Sequence, residues 1–223
     1  MKYFAVNEHL ESEIKSIKQE IRLSMNGICS ENMGELGLNY KINFGVNWIR
    51  LQNIAKTHTQ NYELAVRLWA MPIRETKLMA TLLCPPNEMT AERLKEWIEG
   101  ITTPELAEII AMSLLSKNAT LSPYIIKLLD NDDNLIKLTA LNTMARTVKN
   151  LSNDDLRKII LILPTNIEDI STYRATEALL LNIILHTNEL DNNISEWLKK
   201  IEQSNSQHSQ LLYKVIKEEL EYR

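Results

Sequence analysis

The stretch FGVNWIRLQNIAKTHTQNYELAVRLWAMPIRETKLMATLL, Phe44 to Leu83, decides the fold. Its apolar residues recur at three- and four-residue spacing and Asn47 stands as an N-cap, so it reads as helices over 47–57, 61–70 and 72–84. Leu68 and Trp69 are expected to close one repeat. Pro72 is expected to open the next helix with its fixed φ, and Glu75 to satisfy amides in that helix's first turn. The two-residue alternation of a half-buried strand is essentially absent.

Outward from this stretch the helical period continues. Helices are expected near 7–25, 90–100, 103–117, 121–130, 133–149, 152–163, 171–187, 192–203 and 207–222, with caps at Thr90, at Thr103 before Pro104 and at Ser122 before Pro123. Four of the five glycines (Gly27, Gly34, Gly37 and Gly45) fall between Met25 and Val46, and none follows Gly100. Residues 25–46 therefore read as a glycine-containing loop, and the later helices as closely connected. From residue 90 the helices form pairs with a period of roughly 30–40 residues, within the range of HEAT-type solenoids. The expected fold is all-α, a right-handed α-α superhelix of HEAT-like helix pairs. Residues 1–223 are expected to form one domain, with an N-terminal helix and loop over 1–45 and stacked repeats over 46–223.

Cys29 and Cys84 give no disulfide framework and no metal-binding spacing, which suits a reducing cytoplasm. The N-terminus MKYFAVNEHLESEIKSIKQEI lacks the features of a signal peptide, and no apolar run reaches membrane-spanning length. His9, His58, His186 and His208 do not pair at metal-ligand spacing, so no metal is expected. The run Asp130 to Asn134 has alternating oxygen donors, but Leu135 and Leu141 stand where a calcium loop needs glycine and glutamate. It reads as a turn with a helix cap. No phosphate-cradling loop or nucleophile elbow is present, Ser12 and Lys15 match SxxK only by coincidence, and no cofactor is expected.

The segment GVNWIRLQNIAK (Gly45 to Lys56), with Leu64, Trp69, Pro72, Arg74, Glu75 and Lys77 of LAVRLWAMPIRETK, resembles the opening repeats of the DNA alkylation repair glycosylases. These are alkylpurine DNA glycosylases built from HEAT-like repeats, and the resemblance extends less specifically over residues 10–220. For active members it implies a concave groove that holds duplex DNA and cleaves an alkylated nucleotide's glycosidic bond without flipping it into a deep pocket. Two tryptophans pack on sugar and phosphate, a carboxylate stabilises the sugar cation and positions water, and an arginine engages the backbone. An N-alkylated purine is already a cationic leaving group, so a negative charge beside the oxocarbenium ion supplies much of what is needed.

By register, the family's WDxxD-like segment falls on Pro104, Glu105, Leu106, Ala107 and Glu108. The tryptophan position holds Pro104, and the aspartate position holds Glu108, one methylene longer. The arginine position falls on Leu138, and the later tryptophan position near Ala178. No tryptophan lies between Trp97 and Trp197, so a small slip does not restore the aromatic pair.

The net charge of −4 opposes nucleic-acid binding unless the cations gather on one face. Lys77, Lys137, Arg174 and Lys214 fall on early turns of the second helices, where they are candidates for contact with the phosphates of double-stranded DNA. Three readings stand: a family member with a degenerate glycosylase site that binds DNA or a protein on its concave face; an active glycosylase using Glu108 with Trp97 or Tyr124; and a protein-interaction solenoid without DNA binding.

Overall fold

The computed structural model describes residues 6–38 and 40–223. The first five residues of the N-terminus read for a targeting signal, and Asn39 in the glycine-containing segment, lie outside the described residues. The chain is organised as two compact units, residues 1–117 and 118–223. Thirteen α-helices make up the described residues, with short 3-10 turns and one isolated parallel bridge, Ile42 to Ile73. No described helix is long and apolar enough to cross a membrane.

The first unit holds α1 (Glu8–Leu23), α2 (Gly27–Glu35), α3 (Trp48–Ala55), α4 (Tyr62–Trp69), α5 (Arg74–Leu83), α6 (Ala91–Ile98) and α7 (Pro104–Ser113). Helix α5 is its centre, packed on α3, α4 and α7, while α1 lies on α3 and α4. Eight of the ten residues of α5 are buried, so α5 serves as core on nearly every face. The expected caps form: Asn47 accepts from Arg50 N at 2.9 Å, Thr90 from Arg93 N at 3.3 Å and Thr103 from Leu106 N at 3.3 Å. Each satisfies an amide that the first helical turn leaves unpaired.

The Arg74–Glu75 pair has a different local role from the one its spacing suggests. Helix α5 begins at Arg74 with Ile73 at its N-cap, so Pro72 lies in the preceding turn and not in the helix. Glu75, fully buried, accepts from Phe44 N and Val46 N in the segment before α3, at 3.1 and 3.2 Å, instead of from its own helix. Arg74 donates to Glu75 Oε1 and Val46 O through Nη1, and to Glu105 through Nε and Nη2. Tyr40 donates to Glu105 Oε2 at 2.7 Å and pairs with Thr103 Oγ1 at 2.6 Å. Burial, and then the Glu105 charge, push the Tyr40 hydroxyl well above the ordinary phenol range. Trp69 and Leu68 are buried, and Trp69 stacks on Trp97 with ring centroids 4.7 Å apart.

Helix α2 occupies the segment that its glycines mark as loop. Asn26 caps it by accepting from Cys29 N at 3.1 Å, and two tethers hold it: Asn26 N donates to Phe44 O, and Ser30 Oγ to Asn43 O. None of its residues is buried, so it has no apolar stripe to read.

The second unit holds α8 (Ser122–Leu128), α9 (Asn134–Thr147), α10 (Asn153–Leu161), α11 (Ile170–His186), α12 (Asp191–Ile201) and α13 (Gln207–Glu221). Here α9, α11 and α13 pack side by side, α8 lies on α9, α10 on α12, and α12 on α13. This is a two-layer arrangement of paired helices. Ser122 opens α8 as its first residue and makes no side-chain cap, the N-cap being Leu121. Asp133 caps α9, its Oδ1 accepting from Leu135 N at 2.8 Å, so the acidic run before α9 is a capping turn. No cluster of three metal-ligating side chains occurs among the described residues.

Candidate nucleic-acid interface

Residues 134–150, which comprise α9 and the 3-10 turn after it, contain Lys137, Arg146 and Lys149 and no Asp or Glu. The adjoining α11 adds Arg174 and His186 against one carboxylate, Glu177. That carboxylate accepts from Tyr173 Oη at 2.5 Å. Burial, with Glu177 beside it, pushes the Tyr173 hydroxyl up to about 12, so it stays a donor at neutral pH. Thus a chain of negative net charge carries an excess of cations on two neighbouring helices.

Between the C-terminal halves of α9 and α11 lies a groove of about 670 Å3. Ala145, Val148, Ala178 and Leu185 supply its apolar lining, and Arg146, Lys149, Asn182 and His186 its polar lining, with no carboxylate among them. Asn182 Nδ2 donates to Ala145 O at 3.0 Å and ties the two helices together. Arg146 Nη1 donates to Asn142 O at 2.9 Å and Asn142 Oδ1 at 3.1 Å, which fixes the guanidinium along its own helix. Cations in the last turns of α9 and α11 also complement the helix dipoles.

A smaller cavity of about 270 Å3 sits at the N-terminal ends of the same helices and is lined by Lys137 together with Glu168 and Asp169. Lys137 is therefore half-buried in a site of mixed charge. Arg174 on α11 and Lys214 on α13 are exposed. Lys77 is committed within the first unit: its ammonium donates to Trp69 O and Gly100 O, both at 3.1 Å, and lies 4.5 Å from the centre of the Trp69 ring. Burial holds its pKa below the ordinary lysine value.

The positions that the sequence register assigns to the family's chemistry fall as follows. Glu108 is exposed on α7, and Pro104 is the exposed first residue of that helix. Leu138 is a core residue of α9, 3% exposed. Ala178 is exposed and lines the α9–α11 groove. Trp97 is 1% exposed and stacked on Trp69, so its indole is not available as a solvent-facing wall beside Glu108. Tyr124 is half-buried at the start of α8. Reading only the early turns of the second helices misses Arg146, in the last turn of α9, and Lys149, in the 3-10 turn after it. The signal for them is the acid-free run from 134 to 150.

Comparison with known proteins agrees with this architecture. The family model of the DNA alkylation repair enzymes matches residues 17–173, more than half of the chain, and the protein belongs to that family. One solved structure, described as a new family of proteins related to the HEAT-like repeat DNA glycosylases with affinity for branched DNA structures, aligns with a TM-score of 0.73. It is 17% identical, and the alignment covers 92% of this chain and 94% of that one. The fold is thus the HEAT-like repeat fold. Comparison with curated proteins gives no match.

Proposed function

We propose that this protein binds DNA through its phosphates, using cations of α9, α11 and α13, and does not excise alkylated bases. The observation that carries the reading is the acid-free stretch of α9 and the carboxylate-free groove it forms with α11, where Arg146 and Lys149 lie beside each other in the lining. Phosphate neutralisation depends on local and not net charge. Arg174 and Lys214 extend the set, and Lys137 contributes from its mixed-charge site. Loss of excision follows from Pro104, Leu138 and Ala178: two positions lack the indole, one lacks the guanidinium, and the remaining carboxylate, Glu108, has no exposed tryptophan to work with. The relative's affinity for branched DNA supports forks and junctions as ligands alongside duplexes. Two free thiols suit work on DNA in a reducing cytoplasm.

Salt-titrated binding to a labelled duplex tests this reading. If Arg146, Lys149, Arg174 and Lys214 each neutralise one phosphate, log K falls with log salt with a slope of about −3 to −4. Affinity then drops roughly 100-fold between 50 and 200 mM salt. Release of methylated purines from alkylated duplex is expected to stay at the uncatalysed rate. Rapid release that Glu108→Gln abolishes would establish the glycosylase reading instead. A second reading, a protein partner for the first unit, is favoured by the exposed Leu23, Met25, Ile28, Leu36 and Ile49. It takes precedence if no DNA binds even at low salt.

A further inference from the structure

We infer that the groove between the C-terminal halves of α9 and α11 seats one unpaired nucleotide of a DNA strand; the inference rests on the DNA-binding reading above. Its volume of about 670 Å3 is within the range of about 300–1,000 Å3 typical of sites for small organic ligands. The space adjoins the exposed Ala178, whose methyl leaves it open.

The lining has the chemistry of a nucleotide, distributed as a nucleotide requires. The exposed Ala178 and Leu185, the latter 76% exposed, offer apolar surface for the flat face of a base, above the nearly buried Ala145 and Val148. His186 supplies a planar ring, one of the side chains on which unstacked bases rest. Arg146 and Lys149 provide the charge for the flanking phosphates. The Asn182 amide is oriented by its bond to Ala145 O, so its carbonyl oxygen can accept from a base edge. A paired base in a duplex presents only its edge to such a groove. An unpaired base can turn its face into it, and the site therefore distinguishes forks from duplexes without reading sequence.

The test compares a fork bearing a short single-stranded arm with a fully paired duplex of equal length and charge, at one salt concentration. The wild-type protein is expected to favour the fork by about five-fold or more, in line with base stacking on protein. Ala178→Trp fills the groove from an exposed position and should bring the ratio to about one. The double variant Arg146→Gln, Lys149→Gln should weaken fork binding more than duplex binding. In a second measurement, 2-aminopurine in the arm should brighten on binding the wild-type protein, because neighbouring bases that quench it are removed; this holds even if Ala178→Trp folds poorly. Equal wild-type affinity for fork and duplex, an unchanged ratio in Ala178→Trp, or unchanged 2-aminopurine emission overturns the nucleotide seat while leaving phosphate binding in place. Absence of binding to either DNA at low salt overturns both.

Discussion

Gly100 shows how little tolerance single positions have. A Cβ there would stand 2.5 Å from Trp69 Nε1 and 2.8 Å from Cε2, and that indole is held by its stack on Trp97. The ring has nowhere to move, so Gly100→Ala should destabilise the protein by about 1–3 kcal/mol, the usual cost of overpacking, as measured by chemical denaturation. The two cysteines differ just as sharply. Burial, with Glu88 nearby, pushes the Cys84 thiol up to about 12, and the side chain is sealed from solvent, whereas Cys29 is half-exposed. The thiolate is the reactive form, so native protein at pH 8 should react promptly with a thiol reagent at one site, and at two after denaturation. Prompt reaction of both thiols in the native state would contradict the described burial. At this scale the sequence is a partial guide. Asn47, Thr90 and Thr103 announce their caps, but the partners of Glu75 lie some thirty residues back in the chain, and no local spacing predicts them.

Among the helices, α2 and α5 are opposites. Helix α5 is buried on most of its length, and its start is locked by Arg74, Glu75, Glu105 and Tyr40. Helix α2 buries nothing and is held by a cap and two tethers. Its amides should therefore exchange with solvent well before those of α5 in a hydrogen-exchange experiment, opening without global unfolding. Equal protection would mean that α2 is bound by something other than these contacts. The same contrast explains what was legible in the sequence. Helices with an apolar stripe and a capping residue are readable to within a residue or two, except that α7 ends at Ser113, four residues before the expected 117, where a 3-10 turn takes over; α2 is not readable, because two glycines and the absence of a stripe conceal a helix formed by tertiary tethers. Helix α9 poses the reverse difficulty: it is buried over most of its surface, polar residues included, so its sequence locates it without saying which cations reach solvent. The groove with α11 becomes visible only when both helices are in place.

For the whole molecule, the instructive quantity is the arrangement of charge and not its total. Several carboxylates occupy turns and helix starts, where Asp133 and Asp169 cap and where Asp154 and Asp155 open α10. Residues 134–150 are spared. Neutralising one phosphate-contacting cation, as in Arg174→Gln or Lys149→Gln, should reduce the salt slope of duplex binding by about one and weaken binding evenly across sequences. Lys77→Gln should leave that slope unchanged, because its ammonium serves two carbonyls within the first unit. The tryptophans give the two units separate optical signals. Trp69 and Trp97 stack with ring centroids 4.7 Å apart in a fixed, buried pair, so their near-ultraviolet circular dichroism should report the first unit. Trp197, buried with its Nε1 donating to Leu163 O, is the one indole of residues 118–223, and a Trp197→Phe variant would silence that unit in fluorescence. The order in which the halves of this molecule melt can thus be followed by its own chromophores, without an attached dye.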